Sequence, residues 1–291
     1  MMQSWMAALA LMVMPVMAAE HVLVIGVDGL SPDGLKRAAT PNIDRLIREG
    51  SVTWTARAVM PTSSSSNWAS MIMGAGPEQH GITSNDWQPD KFDIPPTVQG
   101  PGGLFPTMFL LLRQQRPEAR IAAFYDWDGF GRLMEPGIAQ EQKHVKGPET
   151  AARATAAWIR EHRPHLCFLQ LDHVDGAGHK SGWISPEYDR AVELADRLVG
   201  ELMAALEAAG IREKTAVLIT SDHGGLGKKH GGVTLAEIEI PLVFSGPGIR
   251  AGVVIEGPVN VYDVAPTVVE LLGLRAHPGW IGRPVAEALQ R

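Results

Sequence analysis

The sequence predicts an α/β fold, a mostly parallel sheet covered by helices on both faces. Three observations predict it. Continuous Val-, Ile- and Leu-rich runs, His21–Val27 first among them, lack the alternation of a strand with one wet face and read as strands buried on both sides. Along the chain these runs alternate with helical stretches, the order that builds a parallel sheet. The 291 residues supply one large domain of this kind, with no internal repeat and no linker dividing them.

The first residues stand apart from that pattern. Met6 to Met17 is apolar but too short to span a bilayer comfortably, and it ends in Val16-Met17-Ala18-Ala19-Glu20, small residues that suit cleavage after Ala18 or Ala19. No Lys or Arg precedes the run. The expected layout is a signal peptide over residues 1–19 and one folded domain over residues 20–291. The protein would then be periplasmic or secreted, without stable membrane insertion once the signal is removed. A single cysteine, Cys167, forbids an internal disulfide, and export without cysteine pairs suits a bacterial periplasm.

The elements follow in order. His21–Val27 is the first strand. Thr40 is a good N-cap, Pro41 suits the first helical position and Gly50 closes that helix. Residues 51–59 read as the second strand, and 67–73 as a helix after a serine loop. Residues 86–106, rich in Pro and Gly, read as an irregular excursion beside the site. Buried strands are expected over Ile121–Tyr125, Leu166–Leu171, 216–220 and 242–244. Helices are expected near 149–162, 186–209 and 263–272. Cys167 lies inside Leu166–Leu171 and reads as a buried strand residue. In such sheets ligands bind beyond the carboxyl ends of the strands.

Seven side chains fall at those ends. Asp28 follows the first strand, and Ser64 lies in Pro-Thr-Ser-Ser-Ser-Ser-Asn after the second. Asp175 and His179 form Asp-Gly-Ala-Gly-His, expected as a flexible loop able to turn both side chains onto one ion. Asp222 and His223 follow the 216–220 strand directly, and His230 opens a His-Gly-Gly. Three aspartates and three histidines are the donors that borderline divalent metals such as zinc prefer. A serine hydroxyl is a weak nucleophile unless a base or a metal lowers its pKa, and a helix start favours an anion beside it. Four serines in a row leave the choice among them open from composition. His173 and His80 read as structural. The net charge of −6 argues against a nucleic-acid polymer as partner but not against a small phosphorylated substrate, whose charge bound metals neutralise locally.

Together these motifs resemble the alkaline phosphatase superfamily, and within it the type I phosphodiesterase/nucleotide pyrophosphatase branch. The matching text is Gly26-Val27-Asp28-Gly29, the run from Ala39 to Leu46, Pro61-Thr62-Ser63-Ser64, the run from Pro77 to Ile82, Asp175-Gly176-Ala177-Gly178-His179 and Ser221-Asp222-His223-Gly224. The resemblance implies a three-layer α/β/α metallohydrolase domain and a small phosphorylated substrate, a phosphodiester or pyrophosphate. It implies Ser64 as nucleophile. One zinc would be held by Asp28, Asp222 and His223 with Ser64, a second by Asp175, His179 and His230. Asn85 matches the asparagine that hydrogen-bonds a phosphoryl oxygen.

Two departures bear on substrate. Many diesterases of this branch carry Thr where Ser64 stands, and His230 follows Asp222-His223 closely, as in a minimal version with little cap. A phosphomonoesterase of the same fold is the main alternative. Arg132, Lys143, Lys146 and Lys228 are candidate cations for a monoester, and Trp68, Trp87, Tyr125 and Trp127 candidate walls for the second ester group. A sulfatase would need Cys or Ser in Cys/Ser-x-Pro/Ala-x-Arg, which neither Cys167 nor Ser64 provides. A phosphoglycerate mutase needs an inserted domain for which the chain has no room. A non-catalytic binding relic usually loses several of the residues kept here.

Overall fold

The computed structural model describes residues 19–91 and 93–290; the expected export segment lies outside the described residues up to Ala19. The chain runs β1 (His21–Val27), α1 (Pro32–Arg37), α2 (Pro41–Glu49), β2 (Ser51–Arg57), α3 (Ser64–Met73), α4 (Pro77–His80), α5 (Met108–Gln115), β3 (Ile121–Tyr125), β4 (Glu141–His144), α6 (Pro148–His162), β5 (Leu166–Leu171), α7 (His173–Ser181), α8 (Pro186–Ala208), β6 (Thr215–Thr220), α9 (Leu235–Ile238), β7 (Glu239–Ser245), β8 (Val253–Val254) and α10 (Val264–Leu271). Short 3-10 turns lie over Asp128–Leu133 and Val261–Asp263.

Among the described residues the strands form one eight-stranded sheet in the order β4-β3-β5-β1-β6-β7-β2-β8. Every pairing is parallel except those of β7, which runs antiparallel to both β6 and β2. Reversing β7 alone leaves β2 parallel to β1, so the chain leaves β1, β2, β5 and β6 at the same edge. The alternating faces of β1 show the three layers. Val22 and Val24 join a core built with α3, α5 and α10, whereas Leu23, Ile25 and Val27 join one built with α1, α2, α6 and α8. Cys167 is buried in β5, and burial pushes its thiol up to about 12, so it stays an uncharged core side chain. Among the described residues no helix is long and apolar enough to cross a membrane.

Two expectations are corrected. Asp175 and His179 sit on helix α7, not in a flexible loop. Gly176 and Gly178 weaken helix propensity there, but Gly178 is required by packing: a Cβ on it would lie 2.7 Å from the Trp183 ring. The other correction concerns α3, which begins at Ser64 with Ser63 as N-cap, so Ser64 occupies the first helical turn and does not precede the helix.

Candidate metal centre and nucleophile

The carboxyl edge gathers all seven side chains. Asp28 and Asp222 come from the ends of the neighbouring strands β1 and β6, with His223 one residue on. Ser64 starts α3. Asp175 and His179 lie one turn apart on α7, and His230 comes from the loop before α9. The donor atoms fall into two groups, Asp28–Asp222–His223, fully buried, and Asp175–His179–His230, nearer the surface; within each they lie within 4.8 Å of one another. The groups adjoin, because the rings of His223 and His230 stack with centroids 3.7 Å apart.

Each carboxylate spends one oxygen on the protein or leaves one bare. Asp28 Oδ2 accepts from Trp68 Nε1 at 3.1 Å and Gln170 Nε2 at 3.2 Å, while Oδ1 is buried with no hydrogen-bond partner. Asp222 Oδ1 accepts from the Gly29 N–H at 3.1 Å, and its Oδ2 is bare. Asp175 Oδ1 is bare as well. The histidines complement this. His223 Nδ1 bonds Gly224 O, His179 Nδ1 bonds Lys228 O and His230 Nδ1 bonds Thr62 O, at 2.8, 3.0 and 2.7 Å. A carbonyl only accepts, so each Nδ1 carries the proton and each Nε2 offers a lone pair. Those lone pairs face the carboxylates at 3.2 to 3.7 Å: His223 to Asp222 and Asp28, His179 and His230 to Asp175. Imidazoles fixed through Nδ1, aimed with Nε2 at half-free buried carboxylates, are what a divalent metal requires of its ligands.

The electrostatics agree. Burial, then the neighbouring carboxylates, pushes Asp28 and Asp222 well above the usual carboxylate range, and burial pushes Asp175 up to about 7. Burial and the adjacent His230 hold His223 well below the ordinary imidazole range. The protein alone therefore disfavours both the negative carboxylates and a positive imidazole. A bound cation resolves both costs at once.

The four serine hydroxyls separate by partner. Ser63 and Ser66 bond each other, Ser65 Oγ accepts from Arg132 Nη2 at 3.1 Å, and Ser64 Oγ lies 3.4 Å from His223 Nε2. Of these four hydroxyls, that of Ser64 alone meets a side chain of the two Asp/His groups. Asn85 Oδ1 accepts from the Ser65 N–H at 2.8 Å, which fixes the amide and leaves its Nδ2 as donor. The same bond occupies one N–H of the helix start that the sequence offered to an anion. His80 and His173, expected to be structural, bond within the protein. His80 Nε2 and Nδ1 meet Ser70 Oγ and the Ile82 N–H, and His173 Nε2 meets Ala191 O.

Residues that sequence reasoning missed hold these loops in place. Thr62 accepts His230 on its carbonyl while its hydroxyl donates to Gly232 O and accepts from the Gly231 N–H, tying the serine turn to the last histidine. Glu237 accepts the Gly232 and Thr234 N–H groups. Trp183 donates Nε1 to Gly29 O and lies against Gly178 and Gly225. Of the candidate aromatic walls, Trp68, Trp87 and Tyr125 are buried, and Trp127 alone is partly open. Trp68 packs on Gly26, where a Cβ would lie 2.5 Å from the ring, so that glycine lets the indole reach Asp28.

This sheet, with paired Asp/His groups around a helix-borne serine at its carboxyl edge, defines an alkaline phosphatase-like protein. Residues 22–238 match the family model described as type I phosphodiesterase/nucleotide pyrophosphatase, and the chain belongs to that family. It is similar to ectonucleotide pyrophosphatase/phosphodiesterase family member 1 of Mus musculus, 26% identical over 245 residues that cover 78% of this chain and 27% of that one. It is similar too to bis(5′-adenosyl)-triphosphatase ENPP4 of Homo sapiens, 26% identical over 70% of this chain and 47% of that one. The chain thus spans about a quarter to a half of those relatives' length. Murine ectonucleotide pyrophosphatase/phosphodiesterase 5, solved in complex with AMP, superposes with a TM-score of 0.74 at 18% identity, covering 89% of this chain and 96% of that one.

Proposed function

We infer that the protein hydrolyses phosphoric ester bonds of small substrates, phosphodiesters or pyrophosphates, through Ser64. The observation that carries this is the approach of Ser64 Oγ to His223 Nε2, at the junction of the two Asp/His groups. Asp28, Asp222 and His223 with Ser64 would hold one divalent ion, and Asp175, His179 and His230 a second; imidazole-rich sets of this kind favour zinc over magnesium. Bound there, such ions supply positive charge that lowers the serine pKa and neutralises phosphoryl and leaving oxygens.

The chain's own residues do the rest. The α3 backbone fixes Ser64 in the first helical turn, so little motion is needed for Oγ to reach the phosphorus. Its O–P bond forms as the ester O–P bond breaks; the serine proton passes to solvent water, and the leaving oxygen departs to solvent and takes up a proton there. Asn85 Nδ2 donates to a phosphoryl oxygen as charge builds on it. Water then forms a new bond to phosphorus, the Ser64 O–P bond breaks and the hydroxyl is restored. Trp68, Gln170, Thr62 and Trp183 hold the ligands in register throughout. The relatives' names, a pyrophosphatase/phosphodiesterase and a bis(5′-adenosyl)-triphosphatase, support this substrate class. Purified zinc-loaded protein is expected to release p-nitrophenol from bis-p-nitrophenyl phosphate and to cleave a dinucleoside polyphosphate. A protein that holds both ions yet turns over no phosphoric ester would reject the reading in favour of a binding protein.

Export belongs to the same proposal. Ala19 is buried and its N–H donates to Leu271 O at 2.8 Å, so the chain is tied to the body from the first described residue. Terminal sequencing of fractionated bacteria should find a periplasmic protein beginning at Ala19 or Glu20; a cytosolic protein that keeps Met1 would count against it.

A further inference from the structure

The segments that carry His179 and His230 also carry an apolar face that the fold leaves open. Ile184, Leu226, Val233 and Leu235 are 86%, 55%, 72% and 57% exposed. Ile184, Leu226 and Leu235 border one shallow cavity, with Pro32 and Trp183 on its wall, and Val233 lies two residues before Leu235. At about 100 Å³ the cavity is below the ~300 Å³ at which small-molecule pockets begin, so it is a dent in a surface. Exposed aliphatics scattered singly need no explanation, but a gathered set marks an interaction site. Beside this one stands a ridge of cations. Leu226 and Lys229 close a tight turn through their backbones, and Lys228 Nζ reaches back to the Lys180 carbonyl at 2.8 Å. Lys180, Lys228 and Lys229 are all exposed, and none forms an ion pair among the described residues, in a chain of net charge −6. Of the carboxylates on the cavity wall, Glu239 pairs with Arg57, which leaves Asp33 without an ion pair. Arg37, on the same wall, is paired with Asp189.

We propose that this face docks on a membrane surface rich in anionic phospholipid. Ile184, Leu226, Val233 and Leu235 enter the boundary between headgroups and acyl chains, and Lys180, Lys228 and Lys229 meet the lipid phosphates. Apolar area sunk into that boundary and cations held over anionic headgroups are the two contributions from which reversible surface binding is built, and here both lie on neighbouring turns. The unpaired lysines select this occupant. A second copy of the chain fits less well, because stable interfaces take roughly 20–30 residues a side, and pairing this face with itself would bring together the unpaired lysines of both copies. Docking would also hold the candidate metal centre beside the bilayer, since the Lys228 carbonyl accepts from His179 Nδ1 at 3.0 Å.

Co-sedimentation with lipid vesicles tests this on wild type, on the pair Ile184→Ser with Leu235→Ser, and on the pair Lys180→Gln with Lys229→Gln. All three proteins share one amino-terminal segment, so differences among them read this face alone. Their melting temperatures should agree, because every replaced side chain is exposed. Vesicles of phosphatidylcholine and phosphatidylglycerol in equal parts should bind wild type about tenfold or more tighter than vesicles of phosphatidylcholine alone. Each double variant should bind the anionic vesicles about tenfold or more weaker than wild type. The serine pair loses apolar contact, and the glutamine pair loses charge worth about fivefold per lysine. Molar salt should bring wild type close to the glutamine pair. Wild type that binds neither vesicle, or binds both alike, would overturn the proposal, as would variants that bind as wild type does. Sedimentation of the protein alone covers the other occupant: a dimer that the serine pair dissociates would assign the face to a second copy and reject the membrane. Vesicle binding needs no turnover and leaves Ser64 unaltered, so its outcome is separate from that of the nucleophile.

Discussion

Ser64→Ala is expected to leave the ion content unchanged and to lower turnover on the order of a thousandfold or more, about 4 kcal/mol of transition-state stabilisation. The substitution is mild for the fold. Ser63 is the N-cap of α3, the Ser65 N–H stays on Asn85, and alanine is the best helix former for the position. What disappears is the hydroxyl that lies 3.4 Å from His223 Nε2. Ser63→Ala and Ser66→Ala break only their mutual hydroxyl contact, and Ser65→Ala removes one of the acceptors of Arg132. Each should cost far less, about tenfold, than the loss of an activated nucleophile. Turnover by Ser64→Ala close to wild type, or an indispensable neighbour in its place, would move the nucleophile to another serine. Acid-quenched reactions analysed by peptide mass should carry the phosphoryl group on the peptide that contains Ser64.

The strands of this fold were legible because burial on both faces writes itself into composition. The runs at β1, β3 and β5 contain almost nothing else, and their bounds agree with the apolar runs. The edge was legible for a topological reason: residues after parallel strands share an end, which brings Asp28, Asp222 and His223 together across 194 or more positions of sequence. What stayed hidden depends on partners far along the chain. Strand β4, Glu-Gln-Lys-His, sits at the sheet edge and has no apolar pattern to show. Helix α7 was masked by two glycines, although the i, i+4 spacing of Asp175 and His179 already placed both on one helical face. Thr62 reads as a turn residue until His230, 168 positions away, is seen to rest on its carbonyl. Trp183 reads as plain core until its indole N–H meets Gly29.

Replacing Asp222 by asparagine should separate the work of the site from the stability of the fold, since the two are expected to move in opposite directions. Asparagine keeps the size of the side chain and an oxygen for the Gly29 N–H, and removes only the charge. In the protein without ions that charge is a burden. Asp222 is fully buried, and burial and then the charge of Asp175 push its carboxyl well above the usual range, so the ionised form weakens the fold at neutral pH. Chelator-treated Asp222→Asn should therefore melt higher than chelator-treated wild type, by about 2 °C or more for a chain of this size. With zinc supplied the order should reverse, because ions that bind only the folded state stabilise it, and the variant holds fewer of them. Elemental analysis should find nearly two zinc ions per wild-type chain and about one in the variant, in which Asp28 and His223 are left as a pair. Turnover should fall on the order of a thousandfold or more with the loss of that ion, and chelation should abolish it in wild type. An Asp222→Asn protein that keeps two ions and near-normal turnover would show that the buried group serves the fold and not the chemistry. Activity restored to wild type by magnesium alone, with zinc absent from the protein, would keep the two sites and overturn the metal, since imidazole-rich donors suit zinc and oxygen-rich ones magnesium.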